Sequence, residues 1–457
     1  MSYSIIFLLL YIDVLYSLFV NEALLVILTL FVVLGLILIP IFVKKAERIN
    51  SIKLFLICFL SFFLYQLLCH SYRMSRGFDF IFSRDCETYT SYSLALLDVP
   101  FFELPEAIYS RSSYTHIGCI LLYFVPCTKL CLQLHIDQHL MFQISLSFIS
   151  ALLPVVAYLT FRLFDFSAKR SFVYCIVYAF FTPVFILSGW IVRDMAINLF
   201  FMIMIYLSLK EFSLKNAFLI LLMIFLIGTI RLSSGYFCIL YLFGYLFSIF
   251  RNKQLNFMQL VFFGFVSLAF VFAIFSHVNY TDISSLASRT NEHFSYLESS
   301  GSNRLSSVLN RLPWGISHLS KVLVDQIWPT PCWTNLVISQ HLYPETNNIM
   351  QFPVIFSKTF SFFFVAFLLV RCWSKDSVEI LKQNFPIAIN LVLSILFLCL
   401  QSNTMVDRRK MGCYIVFYVF GALLLQKTPR KFMKSFLSNT SMAFFIYQVL
   451  GLLIVRQ

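Results

Sequence analysis

Apolar runs of about 20 residues recur along the whole chain, and no other feature limits the possible folds as strongly. The hydrocarbon core of a bilayer is about 30 Å thick, and a helix crosses it with about 20 residues. Inside it, every backbone N–H and C=O must be paired within its own segment or within a closed barrel. Barrel strands would alternate polar and apolar residues over about 10 positions. These runs do not alternate, so the expected fold is all-α, a polytopic transmembrane helical bundle. Composition agrees: 60% of the 457 residues are hydrophobic and 12% charged, where a soluble domain carries about a quarter.

The runs place thirteen spans at 4–20, 23–43, 53–69, 139–161, 171–189, 194–209, 216–230, 235–250, 256–276, 353–370, 385–402, 411–426 and 436–455. The first lacks a basic leader and a small-residue cleavage site, so it reads as a retained span rather than a signal peptide. A further apolar stretch, 115–132, is resolved by charge. Basic loops at 44–53, 162–170, 210–215, 251–253, 371–382 and 427–434 should all face the cytoplasm. They do so only if 115–132 dips into the membrane and returns. Thr115, His116 and Lys129 also make it a poor lipid-facing span. The N-terminus is then cytoplasmic, and the two long loops, 70–114 and 277–352, are extracytoplasmic. Segment 85–98 has apolar residues at helical spacing and reads as an amphipathic helix on the membrane surface. The second loop carries Trp314, Trp328 and Trp333, which suits an ordered, functional loop.

The net charge of +13 sits in short loops between spans, so it argues for the positive-inside rule and against nucleic acid. Most of the twelve cysteines lie in apolar runs, as small hydrophobes. No CxxC or Cys/His metal spacing occurs. Cys86 and Cys332 fall in polar loops and could pair across an oxidising space. The 55 phenylalanines suit lipid-facing positions and carry little functional information.

Charges at the membrane edge are costly and ask for a reason. On the outer face they comprise Asp85 and Glu87, the turn Arg193–Asp194, Arg231, and the turn Asp407, Arg408, Arg409 and Lys410. Arginine is sparse in short outer loops, and its planar fork suits phosphate. A lipid phosphate or pyrophosphate is the natural anion there; pairing of each arginine with a neighbouring acid, such as Arg193 with Asp194, is the structural alternative. A partly desolvated Asp85 would suit a base that activates a sugar hydroxyl, or it caps a helix. Asp85 with Glu87 could hold a divalent cation, although no cofactor is required by the pattern. His116 could face the cavity. His318 and His341 lack ligand spacing, and Asp13 is an isolated acid within the first span.

The order of these features resembles the GT-C superfamily of membrane glycosyltransferases. An outer loop opens on an acid with a nearby tyrosine, here SRDCETYTSYSLAL with Asp85 and Tyr89. A dipping segment, SYTHIGCILLYF, follows. Later come AYLTFRLFDFSAKR, FFTPVFILSGWIVRDMAINLFF, TIRLSSGY and MVDRRKMGCYIVF. Ser113-Tyr114 stand where the family has paired prolines, and two extra spans precede Asp85. Those departures are closer to O-antigen polymerases and similar polymerases of bacterial surface polysaccharide. The resemblance implies an inner-membrane enzyme using an undecaprenyl-pyrophosphate-linked oligosaccharide, with a polysaccharide chain-length regulator as a protein partner. It implies Asp85 as the catalytic acid with Glu87 beside it, and Tyr89, His116, Arg193, Asp194, Arg231, Arg408 and Arg409 as substrate-binding residues. A lipid-linked oligosaccharide flippase or other multi-span transporter is the rival class. A flippase built from repeats would show internal symmetry and short outer loops, and this chain shows neither. The topology predicts that cysteines introduced just before and just after 115–132 are both labelled by an impermeant maleimide from outside. Labelling of the far end from the cytoplasm would overturn it.

Overall fold

The computed structural model describes residues 2–76, 84–110, 118–189, 191–251, 348–400 and 411–455, with a few positions between 258 and 323. All regular structure among them is helical. Five helices are long and apolar enough to cross a membrane. They are α1 (Ser2–Val20), α2 (Leu24–Phe42), α3 (Lys45–Arg76), α7 (Gln138–Arg162) and α13 (Asn348–Arg371). Between α3 and α7 lie α4 (Arg84–Ala95), α5 (Leu104–Ser110) and α6 (Gly118–Gln133). Next come α8 (Ala168–Phe181), α9 (Pro183–Leu187), α10 (Asp194–Ser208), α11 (Leu214–Ile230) and α12 (Leu232–Arg251). The chain closes with α14 (Lys375–Gln383), α15 (Phe385–Leu400), α16 (Met411–Lys427) and α17 (Arg430–Val455). Helices therefore cover twelve of the thirteen expected spans, and most of 256–276 falls outside the described residues. Among the described residues the candidate full-length spans therefore number five, or six if α14 and α15 form one bent span.

Local chemistry explains where these helices start and stop. Asp137, Ser167, Thr182, Ser213 and Ser374 each accept a backbone N–H from the first turn of the following helix, satisfying a donor the helix cannot. His135, in the left-handed region, closes α6 while Ile136 N–H donates to Cys131 O at 2.9 Å, and Asp137 then opens α7. The expected span 171–189 is broken. Pro183 has no N–H to donate, its ring would collide with the preceding turn, and Thr182 is held extended, so α8 ends and α9 begins. The expected basic loop 371–382 is largely helical, forming α14, which meets α15 at 108° on either side of Asn384. Most of the basic loop 44–53 is the first turns of α3, which extends over 32 residues, well past its apolar stretch.

α7 is the centre of the bundle and is buried along nearly its whole length. α3 lies along it, α1 and α2 pack on α3, and α6, α8 and α10 pack on α7. The α2–α3–α7 junction is filled by phenylalanines: Phe55 and Phe59 stack 5.6 Å apart, and Phe31 stacks on Phe148 at 5.1 Å. These rings are core rather than lipid-facing, and Gly35 admits one of them, since a Cβ there would lie 2.1 Å from Phe55. Lipid-facing aromatics exist too: Phe7, Phe19 and Phe42 are well exposed on α1 and α2.

One end of the bundle is fastened by polar side chains. Tyr158 donates to Glu47 at 2.5 Å, and Arg162 Nε donates to the other Glu47 oxygen at 2.9 Å, tying α7 to the start of α3. Lys210, after α10, lies over the Tyr206 ring, and burial followed by Lys44 and Lys215 lowers its ammonium to about 8. At the other end of α11 and α12 the backbones touch: a Cβ on Gly235 would stand 2.7 Å from Gly228 Cα, whereas one on Gly228 would meet nothing nearer than 4.0 Å. Gly235→Ala should therefore cost about 1–3 kcal/mol by forcing the helices apart. Gly228→Ala should be neutral or stabilising by up to about 1 kcal/mol, since alanine is the better helix former. Thermal unfolding in detergent distinguishes the two, and equal losses would contradict the close contact.

Candidate functional site

Three of the expected residues converge where α10 starts and α11 ends. Asp194 is the first residue of α10 and is 2% exposed. Arg231 caps the C-terminus of α11 and reaches Asp194 Oδ1 at 2.5 Å. Arg193 donates from Nη1 to Ile230 O at 3.0 Å, pairing a carbonyl in the last turn of α11. Both helix dipoles favour this order, with an acid at an N-terminus and arginines at a C-terminus. The chain folds this way locally because Gly228 and Gly235 flank Arg231 and let α12 turn back tightly along α11. The acid that reaches Arg231 is thus Asp194, from a different turn 37 residues earlier in the chain. A guanidinium offers five N–H donors, more than one carboxylate oxygen can accept.

The same end of the bundle holds polar groups that the sequence reading missed. Asn198, one turn below Asp194, accepts the Gly412 N–H at 2.9 Å, docking the start of α16 on α10. Gly412 is needed there, because a Cβ would lie 2.9 Å from Phe201. Gln66 donates to Ser188 Oγ at 3.5 Å, and Ser147 donates to Ser188 O at 3.2 Å, joining α3 and α7 to the end of α9. Gln66 Oε1 and Gln143 Oε1 are buried acceptors with no donor among the described residues. The i, i+4 spacing of Asp194 and Asn198 and the two glycines around Arg231 were the available sequence signals.

The first long loop is mostly helix. Asp85 is the second residue of α4, inside its first turn rather than before it. Glu87 is exposed. Tyr89 is buried, its ring 5.6 Å from Phe124 of α6, so it serves packing between α4 and α6. Cys86 and Ser93 are buried with it. α4 therefore lies against α6 through this face, and Cys86 sits beneath a helix rather than in a polar loop. Lys129 of α6 donates to Val99 O at 3.0 Å, which fixes the segment after α4 to α6. α6 also packs on α7 and α11. His116, His318, His341, Cys332, Asp407, Arg408, Arg409 and Lys410 lie outside the described residues. Among the described residues no group of His, Cys, Asp and Glu could hold a metal ion. Asp13 is isolated as expected: it is fully buried, and neither carboxylate oxygen has a hydrogen-bond partner in the described structure.

No protein-family model, curated protein or solved structure matches the chain.

The pair Asp194–Arg231 is nearly dry, so removing one member strands the other's charge. Arg231→Met should cost about 3–5 kcal/mol in thermal unfolding, and Asp194→Leu a similar amount. The double variant should recover most of either loss, because no charge is then left unpaired. Additive losses would mean that the two residues are not coupled.

Proposed function

We propose that this chain is a membrane glycosyltransferase of bacterial surface polysaccharide assembly, placed in the inner membrane with its N-terminus in the cytoplasm. It takes a glycan from an undecaprenyl-pyrophosphate carrier and transfers it to an acceptor sugar hydroxyl, polymerising repeat units. One observation carries the reading: Arg193 and Arg231 gather with Asp194 in a largely buried cluster at the end of the bundle away from the Glu47–Arg162 tie. A cation cluster on that face suits a phosphate group held in the membrane edge.

In this reading the arginines neutralise the departing pyrophosphate, and Asp194 holds Arg231 in place. Arg408 and Arg409 precede Gly412 by four and three residues, and Gly412 docks on Asn198 beside the cluster. Chain connectivity thus recommends both as further phosphate ligands. Asp85 is the candidate base, with Glu87 beside it in the same helix. Tyr89 is better assigned to packing, given its burial. The two segments 70–114 and 277–352 form the extracytoplasmic side, and most of the dipping segment 115–132 is α6. At 16 residues it is about 24 Å long, short of a full crossing.

The test is complementation of a strain lacking this chain with Asp85→Asn and with Arg193→Ala, followed by a ladder gel of the surface polysaccharide. The expected result is loss of the ladder with single repeat units still attached. Full-length ladders from both variants would sink the catalytic assignment. Lipid-linked repeats accumulating on the cytoplasmic side would replace it with a flippase.

A further inference from the structure

α1 meets the bundle along one stripe. Its buried residues are Ile6, Asp13 and Ser17, and steps of seven and four residues return to the same side of a helix. α1 packs chiefly on α3 and less on α2, so the stripe lies in the α1–α3 seam. The rest of α1 faces outward, with Phe7, Tyr11, Leu15 and Phe19 well exposed. Short turns at 21–23 and 43–44 reverse the chain twice, so α1 and α3 run in the same direction. Lys53 of α3 lies over the Tyr3 ring at 4.0 Å and sets their register. Asp13 stands about 15 Å further along the seam.

An acid in an apolar seam is costly unless it caps a helix, pairs with a cation or accepts hydrogen bonds. Asp13 lies in the middle of α1 and caps neither terminus. It is fully buried, and neither carboxyl oxygen has a partner among the described residues. The titratable groups on the elements around it are Tyr3, Tyr11 and Tyr16 on α1, Lys53, Cys58, Tyr65, Cys69 and His70 on α3, and none on α2. The turn between α6 and α7, which meets the end of α1, adds His135 and Asp137. None of them bonds to Asp13.

Ser17, one turn on, repeats the pattern: it is fully buried, and its hydroxyl has no partner among the described residues. Asn21 follows after another turn, where its amide donates to His135 O at 3.2 Å and Glu22 beside it is exposed. Asp13, Ser17 and Asn21 thus form a polar line at four-residue spacing, about 12 Å long. It leads from the middle of the seam to the end of α1 away from Lys53. Buried oxygens without donors suit a guest that brings positive charge. A metal ion needs a fuller ligand set, and no such group occurs among the described residues. A proton needs a single oxygen.

We propose that Asp13 is a proton-binding site within the α1–α3 seam, exchanging its proton through Ser17 with water at the Asn21 end of α1. Binding adds one proton to one carboxylate oxygen, and release leaves a charge in a dry seam. The two forms therefore differ in how closely α1 packs on α3. The site lies apart from the Arg193–Asp194–Arg231 cluster, on helices that the cluster does not use, and stands independently of the function proposed above.

The test is labelling with dicyclohexylcarbodiimide, an apolar reagent for protonated carboxyls, on the full chain reconstituted in vesicles. The acid O–H adds across a C=N bond of the reagent, its proton going to nitrogen, and acyl migration gives a stable N-acylurea with no leaving group. Peptide mass spectrometry should place the adduct on Asp13, and Asp13→Asn should lose it while unfolding at the wild-type temperature or above. Raising the pH on the Asn21 side alone should lower the yield severalfold, because the ionised acid does not react. Raising it on the Lys53 side alone should leave the yield unchanged. Ser17→Val should blunt the response to the Asn21 side. An unmodified Asp13 in wild type would overturn the proposal, as would a yield indifferent to pH on both sides or a full response in Ser17→Val. Protection by sodium ions at constant pH would overturn it in favour of a metal cation at the same oxygens.

Discussion

A backbone in an apolar medium must pair its own N–H and C=O groups, and the rest of this structure follows from that demand. Helices meet it locally, which is why helix is the whole of the described regular structure. Once the backbone is paired, the remaining polar groups in the interior are side chains, and each needs a partner of its own. Glu47 finds Tyr158 and Arg162, and Asp194 finds Arg231. These two knots stand at opposite ends of the bundle: the first joins α3 to the distant α7, and the second joins the consecutive helices α10 and α11. Among the described residues Asp13 has no such partner, and neither do the buried amide oxygens of Gln66 and Gln143.

Between the knots the helices are held by shape. In lipid there is little hydrophobic gain from helix association, so close packing and small residues decide which helices meet. Gly35 receives Phe55, Gly235 touches Gly228, and Gly412 lies against Phe201. The last two contacts also bear on the candidate site. Gly235 sets the turn that carries Arg231, and Gly412 brings the end of the segment bearing Arg408 and Arg409 to Asn198. Packing and charge placement are thus parts of one arrangement, in which moving a helix by the width of a methyl group moves a guanidinium.

Asp194 changes how the outer charges are read. Taken alone, each arginine would be a phosphate ligand or a headgroup contact. With Asp194 against Arg231, part of the positive charge is met inside the protein. A buried ion pair of this kind adds little to stability by itself. What it does is hold Arg231 in one place.

Helix formation and its punctuation are local matters, and the chain alone determined them. Twelve of the expected spans are helical, the break at Pro183 follows from its missing N–H, and the caps at Asp137, Ser167 and Ser213 are readable from residue type. The helix around Asp85 was also legible from its apolar spacing. Side-chain partnership was not. Nothing near Arg231 in sequence indicates that it will meet Asp194. Nothing in Tyr89 or Cys86 indicates burial against α6, and the phenylalanines do not announce which will be core. Hydrogen bonds within a helix join residues four apart, so the sequence records them directly. Contacts between helices depend on which surfaces fit across the whole bundle, and only the tertiary structure decided those.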